Sequence, residues 1–155
     1  MAVAEQAKTF VTWDDLDDMV GRLADQVGTG YDVVLAITRG GLVPAGMLAY
    51  RLGFRNILVA AVVYYDDHGQ PADQPTFFQF PADPLLNGNR VLVVDEVWDT
   101  GTTIAAVVGR VELAGGHPTT AVLHYKPARS KVALVPDHHV VATDDWVVYP
   151  FKHGN

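Results

Sequence analysis

"VLVVDEVWDTGTT", Val91 to Thr103, runs an apolar segment into two adjacent carboxylates, adds a third three positions later, and ends in a threonine and glycine cluster. Val91–Val94 is too uniformly apolar for a strand with one wet face and too β-branched for a helix. It reads as a strand, Arg90–Glu96, buried on both faces. A helix from about Thr103 to Ala114 follows, stopped by Gly115-Gly116, and then a further apolar strand, Thr119–Tyr125.

The same unit repeats upstream. Tyr31–Ile37 is a short apolar strand, followed by "TRGG" and a helix with Pro44 near its first turn and Gly53 at its end; Asn56–Tyr65 is the next strand. Before them Thr12, with Asp15 three residues on, has the spacing of a capping box. Leu16, Met19, Val20, Leu23 and Val27 then trace one apolar helix face. Nearly all-apolar strands alternating with helices specify an α/β fold, a mostly parallel sheet flanked by helices. Ligands of such sheets bind beyond the carboxyl ends of the strands. "TRGG", "DEVWDTGTT" and "KPAR" all fall there.

Composition limits the function classes. The chain has 155 residues, 49% hydrophobic and 19% charged, with a net charge of -7 and no cysteine. That predicts one globular domain, 1–155, without disulfides or thiolate metal sites. The acidic balance argues against nucleic acid as a partner. No apolar run is long enough for an integral membrane segment, and the first residues lack a basic and apolar leader, so a cytoplasmic location is expected. An anionic ligand must therefore be held by backbone amides, a metal ion or a few placed cations.

Asp95 and Glu96, at a strand end, suit sugar hydroxyls or a hydrated Mg²⁺, whose hard oxygen preference they meet. Thr100, Gly101, Thr102 and Thr103 would present backbone N–H groups and hydroxyls at a helix N-terminus, a site for a phosphate dianion. Taken alone, the acids are equally a solvated strand end, and Asp99 or Thr100 an N-cap. His138 and His139, adjacent on a strand, project oppositely and cannot easily share a metal ion. Residues 66–89 hold four acids, four prolines and neither Lys nor Arg. They read as a long loop of the kind that serves as a flap over a site.

The whole string "VLVVDEVWDTGTT" resembles the phosphoribosyl-diphosphate signature of the type I phosphoribosyltransferases. "ITRGGLVPAGMLAYRLG" and "VTWDDL" resemble the diphosphate loop with its helix and the N-terminal opening of the xanthine-guanine branch, and "YKPAR" and "DDWVVYP" its purine-binding segments. The resemblance implies a flexible flap, about 66–89, and a small C-terminal base-binding hood, about 126–155. It implies transfer of a phosphoribosyl group from 5-phosphoribosyl 1-diphosphate to N9 of a 6-oxopurine (xanthine, guanine or hypoxanthine), with Mg²⁺ as cofactor, in a homodimer or homotetramer serving purine salvage.

Residue by residue, it implies that Thr38, Arg39, Gly40 and Gly41 form the diphosphate loop, often with a cis peptide. Asp95 and Glu96 take the ribose hydroxyls and the metal. Thr100–Thr103 cradle the 5′-phosphate, and Asp99 acts at purine N7. Lys126 donates to the 6-oxo group, Trp146 stacks on the base and the Val147 backbone reads its edge. Two features depart from the pattern: the flap lacks basic residues, and "YPFKHGN" carries Lys152 where relatives often have an acid. The alternatives are a non-catalytic, nucleotide-sensing regulatory protein and a transferase for another base. Lys126 argues against adenine, because an ammonium cannot accept from an amino group.

Overall fold

The computed structural model describes residues 4–153. In chain order the elements are β1 (Lys8–Phe10), α1 (Trp13–Val27), β2 (Val33–Ile37), α2 (Leu42–Leu52), β3 (Ile57–Tyr65), β4 (Pro71–Gln79), β5 (Arg90–Trp98), α3 (Thr102–Leu113), β6 (His117–Tyr125), β7 (His138–Ala142) and β8 (Trp146–Val148), with a 3-10 turn at Asp83–Leu85. Six strands form the main sheet in the order β4-β3-β2-β5-β6-β7. All its pairings are parallel except β3 with β4.

Alternation along the central strands builds two cores. Val34, Ala36, Leu92, Val94, Ala121 and Leu123 face α1 and α2, where Leu16, Val20, Leu23, Ala45 and Leu48 meet them. Leu35, Ile37, Val91, Val93 and Val122 point the other way, onto Ile104, Val107 and Val111 of α3. Each fully buried Val or Leu side chain contributes roughly 1.5–3 kcal/mol. The uninterrupted apolar runs of β2 and β5 follow, since neither face meets water.

α1 starts where the capping box predicts. The Asp15 N–H donates to Thr12 Oγ1 at 3.1 Å and the Thr12 N–H to the Asp15 carboxylate at 2.8 Å. The Thr12 backbone bond and then its hydroxyl hold the Asp15 carboxyl below its ordinary range. Among the described residues no helix is long and apolar enough to cross a membrane.

The path of the chain locates the site. From β2 the chain crosses through α2 to β3 on one side; from β5 it crosses through α3 to β6 on the other. Right-handed crossovers running in opposite directions put their helices on opposite faces of the sheet. They leave a crevice between the carboxyl ends of β2 and β5, the switch point at which such sheets bind ligands.

Three expectations change. The segment 66–89 is not one long loop: Pro71–Gln79 is an edge strand, antiparallel to β3 and bulged, with Ala72, Pro75 and Phe77 partly buried. Its prolines are tolerated because an edge strand has an unpaired side. β3, expected to be buried on both faces, is mostly half-buried, with Ala60 fully covered. β5 continues two residues further, to Trp98, so Asp95 and Glu96 lie within the strand rather than at its end. A second, two-stranded sheet pairs β1 with β8 in parallel, joining Thr9 to Val147.

Candidate active site

The loop after β2 is shaped by what lies against it. The Gly41 N–H donates to Ile37 O at 2.9 Å, and the Thr38 N–H to Ala60 O at 2.9 Å. A Cβ on Gly41 would stand 2.5 Å from Ile37 O and 2.6 Å from Val94 O, backbone atoms of two neighbouring strands. On Gly40 it would stand 2.1 Å from the Glu96 carboxyl carbon. The Gly-Gly pair is thus what lets this loop close over the end of β5. The Thr38–Arg39 peptide bond is cis.

At the end of β5, Glu96 is buried and Asp95 half-buried, and the Glu96 N–H donates to Asp95 Oδ1 at 2.9 Å. Burial first, and then the neighbouring Glu96 charge, push the Asp95 carboxyl well above its ordinary range. For Glu96 burial acts upward but is outweighed by Asp95 and by the Lys152 ammonium, so its carboxyl lies below the ordinary range. Lys152 Nζ donates to Glu96 Oε1 at 2.9 Å, while Glu96 Oε2 is buried with no hydrogen-bond partner. Two hard-oxygen carboxylates with one buried acceptor unsatisfied fit a hydrated Mg²⁺, and these would be the residues that hold it. Among the described residues no group of three or more His, Asp or Glu is gathered around one point. Water and substrate oxygens would therefore complete the shell.

Beyond β5, Gly101 at φ 81° turns the chain into α3; a Cβ there would meet the Trp98 indole nitrogen at 2.3 Å. Gly101 offers no side chain to cap α3, and apart from a long 3.4 Å bond from the Thr102 N–H to Thr100 Oγ1 the first N–H groups of this helix are open to an anion. Thr100 and Thr102 hydroxyls lie 2.9 Å apart, and Tyr64, near the turn end of the β3–β4 hairpin, donates to Thr102 O at 2.9 Å. Asp99 forms an ion pair with the Arg129 guanidinium.

The C-terminal segment is anchored by a buried polar chain. The Tyr149 hydroxyl donates to Glu96 O at 3.0 Å and lies 2.8 Å from His124 Nδ1. Burial, reinforced by the Glu96 and Asp95 charges, keeps Tyr149 protonated. Its one proton goes to Glu96 O, so Nδ1 of the neutral His124 ring carries the hydrogen and donates to Tyr149. Burial, then the Lys126 charge, push the imidazole down to about 4.

A cavity of about 750 Å³ opens at the switch point, lined by Thr38, Arg39 and Gly40 on one side and by Asp95, Glu96, Asp99, Thr100, Gly101 and Thr103 on the other. Gly41 and Thr102 lie beside it in the same two loops. Lys126 is buried with its Nζ 5.4 Å from the centroid of the half-exposed Trp146 ring, and Val147 is buried in β8. These three sit together but outside the lining of the cavity. Sequence reasoning missed Arg129 as the partner of Asp99, His124 and Tyr149 as the chain that ends on the Glu96 carbonyl, and Phe151 and Lys152 as cavity residues. The signals were the unusual tail and the segments "YKPAR" and "DDWVVYP", in which Arg129 and Tyr149 lie.

The model of the phosphoribosyl transferase domain matches residues 12–153. Among solved structures, a purine phosphoribosyltransferase from Pyrococcus horikoshii Ot3 is 31% identical over 96% of each chain, with a TM-score of 0.80. A hypothetical protein from Neisseria gonorrhoeae with bound ppGpp is 29% identical, with 97% of this chain and 92% of that one covered and a TM-score of 0.83. A xanthine-guanine-hypoxanthine phosphoribosyltransferase from Helicobacter pylori shares the fold at 19% identity, over 92% of each chain, with a TM-score of 0.78.

Proposed function

The chain belongs to the phosphoribosyl transferase family, a purine-salvage type of transferase, and from that premise we propose that it joins 5-phosphoribosyl 1-diphosphate to N9 of a 6-oxopurine. The observation that carries this reading is the meeting of two loops across one cavity. Thr38–Gly41 closes over β5 so tightly that Glu96 packs on Gly40, while Asp99–Thr103 opens an uncapped helix on the facing side.

In the reaction the N9–C1′ bond forms as the bond from C1′ to the diphosphate oxygen breaks, and the diphosphate leaves with the electron pair. The base loses a proton, for which the Asp99 carboxylate at N7 is the acceptor. Positive charge grows on the sugar ring in an oxocarbenium-like transition state. Arg39 and the N–H groups of the diphosphate loop stabilise the leaving group, and the N-terminus of α3 with Thr100, Thr102 and Thr103 fixes the 5′-phosphate. Mg²⁺, when bound at Asp95 and Glu96, supplies charge neutralisation of the diphosphate. Lys126 and Trp146 are assigned to the 6-oxo group and the purine face, and the Val147 backbone to its edge. A homodimer or homotetramer in the cytoplasm completes the proposal.

The test is a spectrophotometric assay with phosphoribosyl diphosphate, Mg²⁺ and each of guanine, xanthine, hypoxanthine, adenine and uracil. Product is expected from at least one oxopurine and none from adenine or uracil. Failure with all three oxopurines defeats the reading. A second reading draws on the gonococcal relative and its bound ppGpp: this cavity would take a guanosine polyphosphate as a regulatory ligand. Calorimetry with ppGpp, together with inhibition of the assay, separates regulation of an enzyme from sensing without turnover.

A further inference from the structure

Resting on the proposed phosphoribosyl-diphosphate substrate, we propose that Lys152 of the C-terminal tail is the cation that takes the place of a basic flap. It neutralises Glu96 while the cavity is empty and passes to the diphosphate when the substrate arrives.

The need for such a cation follows from the charges. Asp95, Glu96 and Asp99 line the cavity, and the matching cations in its wall are Arg39 and Lys152, with His153 beside them. Residues 66–89, which include β4 and the turn before it, contribute neither Lys nor Arg. Asp99 has a partner outside the wall, Arg129.

The position follows from two contacts that share one carboxylate. Lys152 Nζ lies 2.9 Å from Glu96 Oε1, and the same carboxylate is in direct contact with Gly40, so close that a Cβ there would stand 2.4 Å from Oε1. The ammonium is thereby held against the diphosphate loop itself. Its setting also permits release. Lys152 is 39% exposed against 10% for Glu96, and its backbone N–H is turned onto Tyr149 O at 3.2 Å. Only the flexible stem and the charge at its tip need to move. Once ribose hydroxyls engage Glu96, the ammonium has a multiply charged anion within reach, which can accept a charge-assisted bond in place of the one from Glu96.

The experiment titrates phosphoribosyl diphosphate, and separately inorganic diphosphate, into the full chain and its Lys152 variants by calorimetry, with Mg²⁺ held constant. Lys152→Ala should weaken both ligands by about tenfold or more, the loss expected for one charge-assisted hydrogen bond, while the KM for the purine base stays unchanged. Lys152→Gln keeps the stem and a donor for Glu96 but no charge, so it should weaken binding as the alanine does. Lys152→Arg should restore most of it. Diphosphate binding by Lys152→Gln equal to that of the wild type, or tighter binding by Lys152→Ala, overturns the proposal and leaves Lys152 a clasp on Glu96. A wild-type protein that binds neither ligand overturns both this proposal and the substrate reading beneath it.

Discussion

The proposed sugar-phosphate grip, in the cavity, and the proposed base-binding cluster, beside it, are built on different principles. The first is made of backbone. Gly40, Gly41 and Gly101 remove side chains where strands, loop and helix start crowd together, and the groups offered to a ligand are N–H donors and short hydroxyls from two segments of a few residues. The second is made of side chains gathered from a distance. Lys126, just past β6, meets Trp146 of β8, Tyr149 reaches back to Glu96, and β8 is placed by pairing with β1 at the far end of the sequence. A grip of the first kind is fixed by local geometry and admits little change. One of the second kind can be retuned residue by residue while the fold stays intact.

The contrast predicts the largest loss at Gly41. Gly41→Ala would press a methyl onto the carbonyls of Ile37 and Val94, and because both belong to paired strands neither can retreat. Destabilisation of about 3 kcal/mol or more is expected in denaturant melts, together with loss of turnover. A stable and active Gly41→Ala variant would remove the claim that the first grip is rigid.

On the base side the sharpest effect is with pH. His124 is neutral in the fold, with its pKa near 4, whereas the unfolded chain protonates it near 6.5. Between those values the unfolded state binds the extra proton, so stability is complete above about pH 6.5, falls as the pH drops towards about 4 and levels off below. The loss assigned to this ring is at most about 3 kcal/mol. Thermal melts from pH 7 to 4 should show it, and His124→Gln should flatten that part of the slope. An identical slope in the variant would detach His124 from the anchoring of the tail.

Asp99 stands between the two sides, and its replacement should separate chemistry from binding. Asp99→Asn is expected to lower kcat by about tenfold or more, leaving the fold, seen by circular dichroism, and the affinity for phosphoribosyl diphosphate as they were. Unchanged turnover would take Asp99 out of the mechanism.

The same division explains what could be read from the sequence. β2, β5 and β6 announced themselves because a strand covered on both faces has no choice but an apolar run, and Thr12 with Asp15 marked the start of α1 because a capping box is local. The Thr38–Gly41 and Thr100–Thr103 loops stood out for the same reason, their glycines and threonines being neighbours in the chain. β4 was hidden, since its residues alternate weakly and only the pairing with β3 makes Pro71–Gln79 a strand. β1 and β8, three residues each, exist through one another. The Lys152 contact with Glu96 spans 56 residues, a juxtaposition that follows from the hood folding over β5 and from no spacing rule.

Because β5 runs on to Trp98 and stays in register with β6 as far as Tyr125, Asp95 sits in a hydrogen-bonded ladder, and Glu96 is held in the same strand by the Asp95 carboxylate and the Tyr149 hydroxyl rather than in a loop. They behave as the fixed jaw of a vice. Whatever travels during a catalytic cycle must come from the opposing side, the tail that carries Lys152 and the hairpin turn at 66–70. Amide hydrogen exchange should find Asp95 among the slow residues of the chain, whether or not substrate is bound.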